Sequence, residues 1–400
     1  MADIEKDNSK TKASLDSSSA DPVNSNLTSK KQHYMNNLNL DTKNSMKNRI
    51  LVSIFLVLIC VPCIVLGNYV FAVLILLASS IACHEIIKAP QSIEHKFSNL
   101  IYIFSYLMMF ILIYWVIVKN NLVELGQNPE NFVFDLSSQF NGPRISLTSF
   151  FICMAFFFLN VIIDKNFSIH DAFYFVTMLF IVSVGFQSIL YLRYCPFTYS
   201  YELSGGLSWT YYSAPAEFRY GQSILLIMYM LIGTCMNDVG AYFIGVLFGK
   251  HKMSPRISPK KTYEGLFGGI IISFVCSGLF ALILDLCNVP ILAGILDISH
   301  FYNIIILSLL IPLCAVFGDL IFSAIKRYYK IKDFGTALKS HGGILDRLDS
   351  ILIVSIMMSL FIEVMSKDWN FMSTGIYWFH EKYFTSWRKW FYWNPNNWCH

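Results

Sequence analysis

Charged residues are scarce in this sequence, since only 14% of its 400 residues are Asp, Glu, Lys or Arg. Hydrophobic residues make up 55% of the chain and aromatic residues 16%, with a mean hydropathy of +0.51. Soluble globular domains carry about 25% charged residues, so the composition excludes an ordinary soluble protein. It predicts an integral membrane protein.

Cysteine is present but is not placed as in a secreted, disulfide-linked protein. Most of the ten Cys residues lie inside long apolar runs. Cys60 and Cys63 have the spacing of a redox or zinc pair, but they sit in a hydrophobic segment without further ligands. We therefore expect neither a disulfide scaffold nor a zinc site.

Apolar runs account for most of the chain. About nine of them have roughly the 18 residues or more that a helix needs to cross a bilayer of about 30 Å. They cover residues 50–67, 69–87, 99–118, 146–163, 173–192, 222–248, 265–288, 303–325 and 351–366. The sixth is long enough for one tilted helix or two broken pieces. The expected fold class is all-α, a polytopic integral membrane protein with about nine transmembrane helices.

The two ends of the chain differ from this apolar centre. Residues 1–48 are rich in Lys, Asn, Ser and Asp, so we expect a disordered cytoplasmic tail without a cleavable signal peptide. Residues 368–400 hold six of the eight Trp residues and are expected to lie at the headgroups as an aromatic-rich interfacial tail. Between them we expect N-terminal transmembrane helices at 49–221 and a catalytic transmembrane region at 222–367.

Two loops between spans, 249–264 and 326–350, are much more basic than the others. A cytoplasmic N-terminal tail and nine spans place both loops on the cytoplasmic side, in agreement with the positive-inside rule. The two loops flank a hairpin made by spans seven and eight. They can therefore build one site together on one face of the membrane.

Three carboxylates fall within apolar spans, where a charge is costly and marks function unless it reaches water. They are Glu85, Asp238 and Asp319. Asp319 shares a helix face with Ser323, four residues on, and lies well inside its span. It needs a cation as partner, either a Lys or Arg from another segment or a metal ion. Lys326 and Arg327 follow where the helix reaches the headgroups, so they either snorkel to the surface or bind phosphate.

The run KIKDFGTALKSHGGILDRLDS, residues 330–350, gathers seven charged residues in a chain that has few. Gly342 and Gly343 precede a helix N-terminus, which offers N–H groups to an anion. Asp346 and Asp349 lie three residues apart on one helix face and either favour the helix dipole or hold a cation. Magnesium prefers a few carboxylates plus substrate phosphates, so with Asp319 the pattern favours a nucleotide-phosphate site.

The second basic loop contains SPKKT at residues 258–262. Its hydroxyls can donate to phosphate oxygens and its lysines can act as point charges. The candidates are Ser258, Lys260, Lys261 and Thr262. The loop is not a Walker A motif, because the order of Gly and Lys is reversed and no strand is expected before it. By itself such a loop is also typical of a simple cytoplasmic anchor.

Taken together, these residues resemble the phosphatidate cytidylyltransferase family, also called CDP-diacylglycerol synthases. The family signature has the form S-x-apolar-K-R, four residues, K-D, then H-G-G-apolar-x-D-R-apolar-D. The matching residues are Ser323, Lys326, Arg327, Lys332, Asp333, His341, Gly342, Gly343, Asp346, Arg347 and Asp349. A second motif appears as SPKKTYEGLFGG at 258–269, with Tyr263 where Trp is usual. Lys339 and Ser340 replace the Pro-Gly that often precedes HGG.

The resemblance implies the reaction of CTP with phosphatidic acid to give CDP-diacylglycerol and pyrophosphate, with Mg²⁺ as cofactor. Asp319 and Asp346 are expected to hold the metal, with Asp349 or Ser323 completing its ligands. The catalytic residues that the resemblance implies are Asp319, Asp346, Lys326, Arg327, Arg347 and His341. The substrate-binding residues are Ser258, Lys260, Lys261, Thr262, Ser323, Lys332, Gly342 and Gly343. Since phosphatidic acid brings its own nucleophile, catalysis can rest on positioning and charge neutralisation, and His341 is expected to orient groups and not to act as a base.

Two other functions remain open on the sequence alone. A CTP-dependent polyprenol or phytol kinase shares the need for a nucleotide site at a membrane face. An ion-coupled transporter would use Asp238 and Asp319 along a pathway, but it predicts internal repeats and midplane charges, which the sequence does not display.

The expected partners are CTP, phosphatidic acid and the lipid bilayer. We expect no nucleic acid, and a homodimer is compatible with the sequence. The favoured compartment is the endoplasmic reticulum membrane, with a bacterial-type inner membrane or an organellar membrane as alternatives. The active site is expected to face the cytoplasm.

Overall fold

The computed structural model describes residues 54–91, 96–127, 147–198, 200–202, 208–210, 216–287, 289–292, 295–296, 301–337 and 342–365. Nine helices lie within these residues: α1 (Ile54–Leu66), α2 (Asn68–Gln91), α3 (Asn99–Gln127), α4 (Leu147–Ile163), α5 (Ile169–Thr198), α6 (Ala216–Phe248), α7 (Tyr263–Leu286), α8 (Phe301–Tyr328) and α9 (Leu345–Met365). The tails at 1–48 and 368–400, and His341, lie outside the described residues.

Six of these helices are long and apolar enough to cross a membrane, namely α2, α5, α6, α7, α8 and α9. The apolar parts of α1, α3 and α4 are shorter, at 10–17 residues. The expected all-α, multi-pass membrane fold is confirmed. The long sixth span is one continuous helix, α6, and not two pieces.

Helix α5 occupies the centre of the bundle, because 83% of its apolar window is buried, compared with 28% for α7. Its start is fixed locally by Ser168 and Asp171. The Ser168 N–H donates to Asp171 Oδ2 at 2.9 Å, and the Asp171 N–H donates to Ser168 Oγ at 3.2 Å. This reciprocal pair is a capping box, which satisfies N–H groups that a helix start leaves without partners.

Small residues let α6 and α7 pack closely. A side chain at Gly268 would overlap Ile244 of α6, and one at Gly269 would overlap the Asn237 backbone. Ser273 Oγ of α7 donates to the Gly233 carbonyl of α6 at 2.6 Å. Small residues and interhelical hydrogen bonds are how membrane helices associate without a hydrophobic driving force between them. The tight pair fixes the relative position of Asp238 on α6 and the polar segment before α7.

Two short hairpins interrupt the helices, and the sequence reasoning missed both. Ser200–Glu202 (β1) pairs antiparallel with Ser208–Thr210 (β2), and Lys252–Ser254 (β3) pairs with Ser258–Thr262 (β4). The element before the basic loop is helix α6, as expected, but the loop itself forms the β3–β4 hairpin, and β4 runs directly into α7. The sequence SPKKT does not show the alternation of apolar and polar residues that predicts a strand. Most of this strand is not buried, and it pairs only with β3.

Candidate active site

The β3–β4 hairpin and the end of α8 meet on one side of the bundle. Arg327 Nε donates to the Ile257 carbonyl at 3.1 Å, and Arg327 Nη1 donates to the Ile331 carbonyl at 3.3 Å. One guanidinium thus joins the hairpin to the chain that leaves α8. The two basic loops are therefore in contact, as the expectation of one shared site requires. Snorkelling alone does not describe Arg327.

Asp319 of α8 is the first of the predicted carboxylates. Its Oδ2 forms an ion pair with Lys261 Nζ of the hairpin, and its Oδ1 accepts a hydrogen bond from Ser323 Oγ at 3.2 Å. Ser323 lies one turn along the same helix, as its spacing predicts. The cation partner that Asp319 needs is therefore supplied by another segment in this structure.

Asp346, in the first turn of α9, binds three groups at once. Its Oδ1 accepts from Lys326 Nζ at 2.8 Å, and its Oδ2 accepts from the N–H groups of Phe334 at 2.8 Å and Gly343 at 3.0 Å. Both side chains of the Lys326–Asp346 pair are nearly buried, at 10% and 6% exposure. The N–H of Gly343, which we expected to face an anion, already donates to this carboxylate.

Asp349 lies one turn further along α9 and is 8% exposed. Its Oδ1 accepts from the Ser350 N–H at 2.7 Å, and it interacts electrostatically with Asp319, Lys326 and Asp346. The three predicted metal ligands are thus neighbours. Within the described part of the chain, however, no three carboxylate, imidazole or thiol side chains converge tightly enough to form a ready-made metal site.

A cavity of about 500 Å³ opens between the hairpin and the helices α6, α7 and α8. Its polar lining consists of Asn237, Asp238, Lys252, Lys260, Lys261, Thr262 and Asp319. The rest of the lining is largely apolar or small, including Tyr242, Val246 and Val316. The volume suits a drug-sized or nucleotide-sized ligand, and lysines beside carboxylates suit a ligand that carries phosphates and a cation.

The junction between β4 and α7 is held by local contacts. Thr262 Oγ1 accepts from the Gly265 N–H at 3.2 Å as the N-cap of α7. Glu264 accepts from the N–H groups of Lys250 and His251, at 3.1 and 3.2 Å, which closes the base of the hairpin. Thr262 is buried and its hydroxyl caps α7, whereas Lys260 is exposed and lines the cavity.

The remaining predicted residues surround this centre. Ser258 begins β4, and Lys332 and Arg347 are exposed. Gly342 has φ +83°, a left-handed conformation that glycine adopts without strain. A side chain there would also approach Asp346.

Several residues of the site were not assigned by sequence reasoning. Asp238 lines the cavity and interacts electrostatically with Asp319 and Lys261. Glu85 of α2 accepts the N–H groups of Ile344 and Leu345 at the start of α9. The sequence feature that could have assigned both residues to the site is a carboxylate inside an apolar span. Asn237 and Lys252 carried none.

Comparison with known proteins identifies the family. The model of the cytidylyltransferase family matches residues 47–365, which is most of the chain. The chain belongs to the cytidylyltransferase family. The matched range covers all nine described helices, so both the N-terminal helices and the site helices belong to the cytidylyltransferase fold.

Individual relatives are similar over the same part of the chain. A phosphatidate cytidylyltransferase of Bacillus subtilis is 28% identical over 311 residues, covering 77% of this chain and 94% of the relative. One from Staphylococcus epidermidis is 29% identical over 312 residues, covering 77% and 96%. One from Staphylococcus aureus is 39% identical over 129 residues, covering 32% of this chain and 45% of the relative.

Proposed function

We propose that this chain catalyses the transfer of CMP from CTP to phosphatidic acid, giving CDP-diacylglycerol and pyrophosphate. The observation that carries the proposal is that SPKKT and the start of α9 are each joined to α8 by a Lys–Asp ion pair, Lys261–Asp319 and Lys326–Asp346. The names of the relatives, each a phosphatidate cytidylyltransferase, support the same substrates.

In this reaction an oxygen of the lipid phosphate attacks the α-phosphorus of CTP. The bond from the α-phosphorus to the bridging oxygen of the β-phosphate breaks, and pyrophosphate leaves. The nucleophile is already an anion, so the site has to align two polyanions and neutralise their charge. No strong general base is required.

The lysines at the cavity are placed for that neutralisation. Lys260 is exposed at the cavity and Lys261 lies beside Asp319, so both can reach phosphate groups bound there. Lys326 neutralises Asp346 and thereby keeps the first turn of α9 in place. Arg327 holds the hairpin against the end of α8, so its contribution is to position Lys260 and Lys261.

We propose Mg²⁺ as the cofactor, on the chemistry of the carboxylates at the site. Asp319 and Asp349 are close enough to repel each other, and carboxylate oxygens are the ligands that this ion prefers. We propose Asp319 and Asp349 as ligands, with Asp346 joining if Lys326 exchanges its contact. When bound, the ion supplies charge neutralisation at the phosphates.

We propose that the site faces the cytoplasm, because the basic segments 249–264 and 326–350 lie on its side of the membrane. The endoplasmic reticulum stays the predicted compartment of the sequence reasoning. The relatives named above are bacterial, so a bacterial membrane stays the alternative compartment.

The decisive experiment incubates the detergent-purified full chain with labelled CTP, phosphatidic acid and Mg²⁺. Labelled CDP-diacylglycerol and pyrophosphate are the expected products. Formation of CDP and a phosphorylated alcohol from polyprenol or phytol would instead identify a kinase. If neither CDP-diacylglycerol nor a phosphorylated alcohol forms, and the protein carries ions into proteoliposomes, it is a transporter.

A further inference from the structure

Glu85 of α2 lies far from the signature in sequence but touches it in space. Its side chain is buried, with the residue 2% exposed. Its Oε1 accepts from the Ile344 N–H at 2.9 Å, and its Oε2 accepts from the Leu345 N–H at 2.8 Å. These contacts span 259 and 260 residues of sequence. A buried carboxylate is costly unless its oxygens are hydrogen-bonded, and both are.

The start of α9 needs such a partner. The first N–H groups of a helix have no acceptor inside it, and they are usually satisfied by the residue that precedes the helix. Here that residue is Ile344, which has no side-chain acceptor. Glu85 supplies from another helix the cap that the local sequence lacks, and its charge suits the positive end of the helix dipole.

The loop before α9 is shaped around this carboxylate. A side chain at either Gly335 or Gly343 would overlap the Glu85 carboxyl group. Both ends of the segment 335–343 therefore contact one buried group. Close approach to Glu85 explains Gly343, which the sequence pattern alone attributed to the approach of a ligand.

The capped turn carries the residues of the proposed reaction. Leu345 directly precedes Asp346, whose oxygens bind Lys326 of α8 and the Phe334 N–H of the loop. Asp349 lies on the next turn. A displacement of the Ile344–Leu345 backbone therefore moves Asp346 and Asp349 relative to the lysines of the hairpin.

We propose that Glu85 is a positioning residue of the active site: it holds the N-terminus of α9 so that Asp346 and Asp349 face the bound nucleotide in a productive arrangement. This inference rests on the proposed function. It gives the N-terminal helices a part in the reaction, because α2 supplies the group that orders the signature segment.

The test compares Glu85→Gln with wild type in detergent. Gln keeps the size but loses the charge and one acceptor, so we expect kcat to fall on the order of 10- to 100-fold with a smaller change in the KM for CTP. The matched control is Ile75→Ala, a buried α2 position ten residues away, which should lower the melting temperature but keep kcat per folded molecule. A Gln variant with wild-type kcat overturns the proposal, as does an equal loss of kcat in the control.

A second measurement does not depend on activity. Amide hydrogen exchange of a peptide covering residues 342–348 should accelerate in Glu85→Gln and stay at the wild-type rate in Ile75→Ala. Unchanged exchange in Glu85→Gln overturns the role of Glu85. An inactive wild type with the expected exchange pattern refutes the proposed function alone. If Glu85→Gln does not fold, Glu85→Asp, which is too short to reach both N–H groups, carries the same two measurements.

A double variant tests the contact itself. Gly343→Ala places a methyl group against the Glu85 carboxylate and should lower kcat. Glu85→Asp shortens the side chain, so the added loss from Gly343→Ala should be smaller in that background than in wild type. Losses that simply multiply in the double variant would contradict the contact.

Discussion

The N-termini of α7 and α9 both follow polar segments of the site, but they are held in different ways. At α7 the cap is Thr262, which binds the N–H of Gly265 three residues on. At α9 the residue before the helix is apolar, and the cap is Glu85, more than 250 residues away. The first start depends on its own sequence, whereas the second depends on a side chain of α2 that reaches the start of α9.

This difference separates a part of the site that is capped locally from a part that is held by tertiary contacts. The β4–α7 junction is capped by a residue of its own sequence, and Lys260 and Lys261 lie on the strand that leads into it. The α9 junction assembles from α2, α8 and the loop before α9, which all meet at Glu85 and Asp346. Substitutions at α9 should therefore disturb both stability and activity, and those at α7 should act mainly on its own start.

The largest effect should come from Asp346→Asn. It removes the counter-charge of the nearly buried Lys326, which typically costs about 3–5 kcal/mol, and we expect CMP transfer to fall at least about 100-fold. Transfer rate and melting temperature in detergent measure the two effects. Asp164→Asn, in the turn between α4 and α5, is the matched control. Equal activity of the two variants would contradict the role of Asp346.

Lys261→Met breaks the ion pair that joins the α7 side of the site to Asp319 of α8. We expect roughly a tenfold loss in kcat/KM for CTP, since a phosphate partner and the neutralisation of Asp319 are lost together. Steady-state kinetics measure it against Lys250→Met, an exposed lysine before the same hairpin. An equal loss of kcat/KM in the two variants would indicate a general effect of positive charge and not the ion pair with Asp319.

Arg327→Lys keeps the charge but cannot bridge the carbonyls of Ile257 and Ile331 with a planar fork. We expect a loss of roughly three- to tenfold in activity, about 1 kcal/mol, because the hairpin is less firmly tied to α8. Full activity of this variant, compared with a loss in Arg327→Met, would mean that only the charge matters.

The smallest effect should come from the local cap. Thr262→Ala should destabilise the protein by about 1 kcal/mol, whereas Thr262→Ser, which keeps the hydroxyl, should retain most of the stability. Thermal unfolding in detergent distinguishes them. A Thr262→Ala loss as large as that of Asp346→Asn would remove the contrast between the two helix starts.

Much of the fold follows from local patterns in the sequence. The apolar runs predict the nine helices, and Ser168 with Asp171 marks the start of α5. The short strand at 258–262 could not be predicted, because its sequence has no alternating apolar residues. In the candidate site, the sequence grouped segments that the structure brings into contact, but it left open which group each cation binds. Lys326 and Arg327 follow each other in the chain, yet one binds a carboxylate and the other two carbonyls.

The sequence by itself determined that this chain crosses the membrane several times, where its helices lie and which segments are basic, because hydrophobicity and capping act over a few neighbouring residues. Only the tertiary structure decided that Lys261 pairs with Asp319, that Lys326 pairs with Asp346 and that Glu85 caps α9. These contacts join residues on different helices. Their partners are set by how the helices pack, which no local pattern in the chain records.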